Sequence, residues 1–324
     1  MRWGIISACG LCAFLSGIRP GTASGQDIFK PRPVNSEAYA EAYTSVVDLA
    51  DDTYMLLQLL FTNAGMGDQK AACRALIVPP GSKGNNSVKR YSRDDWKYVA
   101  TEKGLYVGDC ALSTLGQKTD FVVKTDTAHV YLSIDSAPKK VRPPGSRLTH
   151  DGAFLESEIL IRNASAKATI VMGGKTSSKQ GRAYLDHSRS TAMMPDIASR
   201  WLRFRGLRSD ESILFQIRYP SDASKPPNGW VWPASGKVQR FNADDFSAKV
   251  SDTKVSVRGL KKPFNFEMLT QKLIYDYRPV EQYGMLGALA KPWIGNPINR
   301  TFRAQIRYRG KLITGTIEYQ ELAK

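Results

Sequence analysis

Short apolar runs separated by turn residues recur along this chain, and helical periodicity of any length is hard to find. Tyr54 to Thr62, YMLLQLLFT, is a long apolar run. The turn-rich stretch Asn63 to Asp68 follows, and Ala72 to Val78 resumes before Pro79, Pro80 and Gly81. This pattern predicts a hairpin containing a well-covered strand. Further strands are predicted over 98–101, 104–110, 121–124, 128–134, 156–161 and 168–172. In the second half they fall over 200–207, 212–219, 229–232, 237–242, 254–257, 272–278, 302–309 and 311–319. Near the C-terminus Phe302, Ala304, Ile306 and Tyr308 alternate with Arg303, Gln305, Arg307 and Arg309, so one face is apolar and the other polar and largely cationic, and Gly310-Lys311 makes the turn. Many short strands joined by turn chemistry argue for an all-β chain of antiparallel sheets, closed into barrels or stacked as sandwiches. The length suits two domains, and the loop near Met194-Pro195 divides them into 26–195 and 196–324.

Residues 1–25 read as a secretory signal peptide. Arg2 supplies the positive start, Trp3 to Ile18 is mostly apolar, and Ala23-Ser24-Gly25 gives small residues before the expected cleavage. The apolar run is too short to span a bilayer, which takes about 20 residues, and no second run follows. The expectation is an exported protein, periplasmic or secreted, without a transmembrane span.

Charge adds a possible partner. The full chain carries +16, and losing Arg2 and Arg19 with the leader leaves +14. Such a surface favours anionic partners, an envelope surface among them. The basic residues are scattered rather than blocked, so nucleic acid is not expected. Beyond the leader only Cys73 and Cys110 remain, either as one disulfide or as two buried thiols. No CxxC pair follows the leader, and the three histidines, His129, His150 and His187, are too dispersed for a compact metal motif. No metal or other cofactor is expected. The G-x-S-x-G elbow of a serine hydrolase is also missing.

Candidate chemistry concentrates in Gly181 to Leu207, GRAYLDHSRSTAMMPDIASRWLRFRGL, where Asp186 and His187 adjoin near Tyr184. Either could transfer a proton if buried, because burial disfavours the charged form of both. Alternatively the pair ties a strand end to a turn by ordinary hydrogen bonds. Successive strand residues point to opposite faces, so without a bulge at most one of the two enters a given cavity. Trp201, Arg203 and Arg205 share a face by the same rule, opposite Leu202 and Phe204. An inward arginine face would need carboxylates, of which Asp186 is the nearest in sequence; otherwise the face is solvated or lies between domains. Tyr219 is a further ligand-contact candidate. Trp230, Trp232 and Trp293, set among Pro and Gly, either plug loops onto the core or line a barrel mouth.

The order of YMLLQLLFTNAGMGDQKAACRALIVPPG, GRAYLDHSRSTAMMP, RWLRFRGL and a terminal G-x-x-x-x-G-x-x-E-Y hairpin resembles the AttH and carotenoid 1,2-hydratase superfamily. The Y-x-D-H element, Tyr184 to His187, carries most of that likeness. The resemblance implies two lipocalin-like β-barrel domains packed side by side and a lipophilic ligand in an apolar β-barrel cavity, between or within the barrels. It leaves open whether the protein carries an isoprenoid, acyl or polyketide compound or acts on one as a cofactor-independent hydratase, cyclase or isomerase. In the enzymatic case Asp186 or His187, with Tyr184, would be catalytic, and Trp201, Arg203, Arg205 and Tyr219 would contact the ligand.

Overall fold

A computed structural model describes residues 27–63, 69–208, 210–233, 235–261, 265–278 and 297–322. The sequence candidates Trp293 and residues 1–25 lie outside these. The strands of the first half are β1 Ala40–Leu49, β2 Tyr54–Thr62, β3 Lys70–Val78, β4 Asn85–Tyr91, β5 Trp96–Val99, β6 Gly104–Val107, β7 Cys110–Leu115, β8 Lys118–Lys124, β9 Ala128–Ile134, β10 Arg147–His150, β11 Ala153–Met172 and β12 Lys175–Ser190. After one helical turn, α1 Met194–Ile197, come β13 Ala198–Gly206, β14 Ile213–Pro220, β15 Asn228–Trp232, β16 Gln239–Asn242, β17 Phe246–Val250, β18 Val255–Gly259, β19 Phe266–Tyr277, β20 Ile298–Tyr308 and β21 Lys311–Glu321.

All pairings are antiparallel, and the strands form two sheets. The first runs β4-β3-β2-β1-β12-β11-β9-β8-β7-β6-β5, with β10 beside β11; the second runs β16-β15-β14-β13-β21-β20-β19-β18-β17. Each curls into a nearly closed, lipocalin-like barrel, as the strand pattern and the resemblance led one to expect. The chain passes between sheets at residues 191–197.

Two rows of side chains explain why β2 reads as nearly unbroken apolar sequence. Met55, Leu57, Leu59 and Phe61 fill the first barrel, where Tyr43, Phe121, Val130 and Leu185 meet them. Tyr54 and Leu56, on the other face, pack with Val46, Leu76, Tyr184, Leu207, Leu214 and Trp230 in a separate cluster shared by both barrels. Strands buried on both faces lose the alternation that marks a half-exposed sheet. The second barrel is filled by Leu202, Phe204, Phe215, Met268, Phe302 and Ile306 among others, with Phe215 stacked between Phe204 and Phe266.

Several strand predictions need correction. No predicted range covers β1, β4, β10, β12 or β17. The predicted strands 156–161 and 168–172 are parts of one strand, β11, whose pairing with β12 shifts at Ile159/Ile161 and Ile161/Ala164. These irregularities let a 20-residue strand bend around the barrel without breaking. Cys73 and Cys110 form a disulfide with Cα atoms 6.6 Å apart, joining β3 to β7 across the first barrel.

The barrels are clamped by buried charge. Asp48 at the end of β1 receives Arg303 Nη1 at 2.5 Å from β20 and a two-pronged contact from Arg208, at 3.1 and 2.9 Å. Arg162, in the irregular part of β11, donates to the carbonyls of Ser212 and Trp232. Burial of its guanidinium lowers its pKa to about 10. Gly315 allows β21 to lie close against β13, because a Cβ there would collide with the Arg205 carbonyl.

Candidate functional site

A cavity of about 400 Å³ lies between the two barrels, lined by β1, β2, β3, β11 and β12 on one side and by β13, β14, β15 and β21 on the other. Of the two positions open to a cavity, between or within the barrels, it takes the first: the barrel interiors are occupied by the aromatic and aliphatic clusters above. The register sets a polar row across each wall. Asp186 pairs with Thr44, Thr44 with Gln58, and Gln58 with Arg74. Opposite them Glu318 pairs with Arg203, Arg203 with Gln216, and Gln216 with Trp230. All eight line the cavity, as do Leu56, Leu60 and Leu214.

Asp186 projects into this space with 18% of its side-chain surface open. Its closest cation is Arg205 Nη2, 3.8 Å away. Arg205 is nearly buried, lies over the Tyr184 ring at 4.8 Å, and gives its other amino group to Glu318 Oε2 at 3.2 Å. Glu318 also accepts from Asn299 and Gln320, at 3.1 and 2.8 Å. The two carboxylates consequently titrate in opposite directions. Burial pushes the Asp186 pKa above its usual range, and the attraction of Arg205 and Arg203 and the nearby Tyr184 hydroxyl only partly oppose it. For Glu318 burial acts in the same sense, but Arg205, Arg203 and the hydrogen bonds from Arg205 and Asn299 overcome it and hold the pKa below the usual range. The positive charge of Arg205 is largely committed to Glu318, leaving Asp186 as the carboxyl that releases its proton at the higher pH. Two carboxyls pushed apart in this way supply a proton donor beside a fixed negative charge.

His187 belongs to the other face of β12. Its Nε2 lies 2.8 Å from Glu41 Oε1, its Nδ1 3.5 Å from Glu158 Oε2, and its ring stacks on Tyr43 at 4.5 Å. Burial alone would discharge the ring, but the Glu158 and Glu41 carboxylates outweigh it and raise the pKa. The hydrogen bond to His187, added to those of Arg142, brings Glu158 to about 2. Asp186 and His187 therefore point to opposite sides, as strand alternation required, and the structure does not bring His187 to the cavity.

The structure brings together Tyr184, Asp186, Trp201, Arg203 and Arg205 at the cavity. Leu202 and Phe204 face the second barrel's interior. Tyr219 is a correction: it pairs with Arg200, whose guanidinium lies over its ring at 4.6 Å, and packs against the second barrel's core away from the cavity. Trp230 is a cavity wall, while Trp232 stacks under Arg162 at 4.7 Å. His129 and His150 are exposed, and no metal-binding cluster occurs among the described residues. Sequence reasoning missed Glu318, Gln58 and Gln216. Glu318 stood in the quoted terminal hairpin, and the need of an inward arginine face for a carboxylate was the one signal pointing to it, although the direct β13–β21 pairing that brings it there is not visible in the sequence.

Comparison with solved structures bears on this arrangement. An AttH candidate from Nitrosomonas europaea superposes with a TM-score of 0.63 at 14% identity, covering 94% of this chain and 98% of that one. The fold is that of the AttH-like proteins. Kievitone hydratase from Nectria haematococca matches the same two-barrel body with a TM-score of 0.59 at 10% identity, over 93% of this chain and 92% of its own. CghA, solved with Sch210972, gives 0.55 at 9% identity, over 91% and 94%. No model of a known family matches the chain, and no curated protein sequence does. At these identities the likeness of the AttH-like fold concerns architecture alone.

Proposed function

We propose that the protein is a cofactor-independent proton-transfer enzyme of the hydratase or cyclase class, acting on a lipophilic unsaturated molecule held between the barrels. The observation that carries this reading is Asp186, a carboxyl that opens into the interbarrel cavity, whose guanidinium neighbour is bound to Glu318 and whose burial raises its pKa. Asp186 gives its proton to one carbon of a C=C bond, and the electron pair of that bond forms the new C–H bond. The cation left on the other carbon is stabilised by the aromatic faces of Tyr184, Trp201 and Trp230 and by the Glu318 charge. In a hydration, a water oxygen bonds to the cation and its surplus proton returns to the Asp186 carboxylate. In a cyclisation, a second unsaturated carbon of the same molecule attacks and the proton lost afterwards returns to Asp186. Kievitone hydratase, a fold neighbour, is by name a hydratase, which supports this class over a simple carrier.

Export is part of the proposal. The leader-like residues 1–25 support it, and a disulfide such as Cys73–Cys110 accords with an oxidising compartment. Among the described residues no helix is long and apolar enough to cross a membrane.

The test is native mass spectrometry, with extraction of bound molecules, on the protein and its Asp186→Asn variant produced in the natural source. An unsaturated species accumulating in the variant, with its hydrated or cyclised form in the native protein, is expected. The same unaltered species in both would establish a carrier instead.

A further inference from the structure

The cavity holds a cation that its surroundings do not satisfy. Arg203 keeps 28% of its side chain exposed at the cavity wall, and among the described residues its guanidinium donates no hydrogen bond. Its closest carboxylate oxygen, Glu318 Oε2, is 4.0 Å away and already accepts from Arg205 at 3.2 Å. The Trp201 ring supports it from one side, with the guanidinium carbon 5.1 Å from the ring centre. A guanidinium held over a flat ring at a cavity wall, with no hydrogen bond of its own, is suited to a two-pronged contact with an oxyanion. Arg74 on the opposite wall is similarly placed. Its Nε donates to Asn86 and it lies over Tyr277 at 4.9 Å, but it pairs with no carboxylate among the described residues. With Glu318 committed to Arg205, neither Arg203 nor Arg74 has a carboxylate of its own among the described residues.

We infer that the cavity takes an amphiphile whose head is an anionic oxygen group, a carboxylate, enolate or phenolate, held by Arg203, with its apolar body along Leu56, Leu60 and Leu214. This rests on the reading of the interbarrel cavity as the ligand site and narrows the ligand class. A pure hydrocarbon would expel water from Arg203 while offering nothing in return, and an unpaired cation stripped of water is costly. Arg203 is also close enough to Asp186 to act on its charge.

The experiment is a fluorescence titration of the full chain, at about 0.15 M salt to damp surface attraction, with two dyes of matched apolar body. One is 8-anilinonaphthalene-1-sulfonate, and the other is uncharged N-phenyl-1-naphthylamine. The native protein should bind the sulfonate at least about tenfold more tightly, as expected for one hydrogen-bonded charge contact. Arg203→Gln should erase that preference, Arg203→Lys should restore part of it, and Arg307→Gln, on the exposed exterior, should leave it unchanged. Equal affinities in the native protein, or a preference that persists in Arg203→Gln, would overturn the inference. Because only binding is read, the two possible failures separate. Equal dye affinities alongside substrate accumulation in Asp186→Asn would remove the anionic head and leave the acid in place. A lost preference in Arg203→Gln without such accumulation would do the reverse.

Discussion

Asp186 and His187 are neighbours on β12, both withdrawn from bulk water, and the two sides of the strand use them in opposite ways. On the barrel side His187 is enclosed by two carboxylates and an aromatic ring, so each polar atom of the imidazole meets an opposite charge. On the cavity side Asp186 faces a guanidinium that has a better partner. Burial is common to both and decides neither. The balance of neighbouring charge does: two anions per imidazole outweigh its burial and favour the charged form, whereas one shared cation per carboxyl does not offset burial. The first arrangement holds structure, and the second is suited to chemistry.

The largest effect expected from this contrast is on turnover. Asp186→Asn should lower it by about a hundredfold or more, the contribution of a positioned general acid, while ligand binding persists. A His187 variant that lowered turnover equally without loss of folding would break the distinction between the two faces.

The next effect is on stability. His187→Leu leaves Glu41 and Glu158 buried with one partner fewer, and removing one member of a buried charged set costs about 3–5 kcal/mol. Urea unfolding of the two proteins across pH would check both the size and the window. The folded His187 pKa is raised, so its contribution is complete below about 6.5 and is lost as pH climbs through the folded value. The folded Glu158 pKa is lowered, so its contribution is complete above its ordinary 4.5 and is lost as pH falls towards about 2. The gap between native protein and variant should be widest between those limits and narrow on either side.

Asp186→Asn should change stability in the other direction. A carboxyl whose folded pKa is raised opposes folding as pH rises from its ordinary 3.8 through the folded value, because the unfolded chain ionises more readily. An amide cannot ionise, so the variant should be more stable at pH 7, by about 1 kcal/mol, the usual scale for relieving a strained functional group. Below pH 3 the difference should vanish. A variant less stable than the native protein at pH 7 would mean that the link to Arg205 outweighs burial.

Much of this was legible before the structure, for physical reasons that particular residues show. Strand alternation separates Asp186 from His187 and groups Trp201 with Arg203 and Arg205, because the period of two survives any tertiary context. The all-β class followed from the same periodicity. The cavity's position did not. A strand such as β2 is apolar on both faces, and nothing local in YMLLQLLFT says which face fills a barrel and which meets the other barrel. Glu318 was harder to place, since it joins Arg205 across a pairing of strands more than a hundred residues apart in sequence. Tyr219 shows the converse error: proximity in sequence to an arginine-rich strand placed it in the site, whereas its register opposite Arg200 sends it to the barrel core.

That error supplies the smallest prediction. Tyr219→Leu keeps an apolar group against the second barrel's core and removes only the ring under Arg200, an exposed-type cation contact worth about 0.5–1 kcal/mol. Its hydroxyl has no hydrogen-bond partner among the described residues, so no buried group is orphaned by the change. Ligand affinity, read by the same dye titration that tests Arg203, should stay within about twofold of native, and the unfolding midpoint should fall slightly. A marked loss of affinity would show that the second barrel's interior communicates with the cavity through β13, whose Leu202 and Phe204 side chains face the core while Arg203 and Arg205 face the ligand. The contrast between a packing face and a chemical face, drawn from β12, would then not extend to the second barrel.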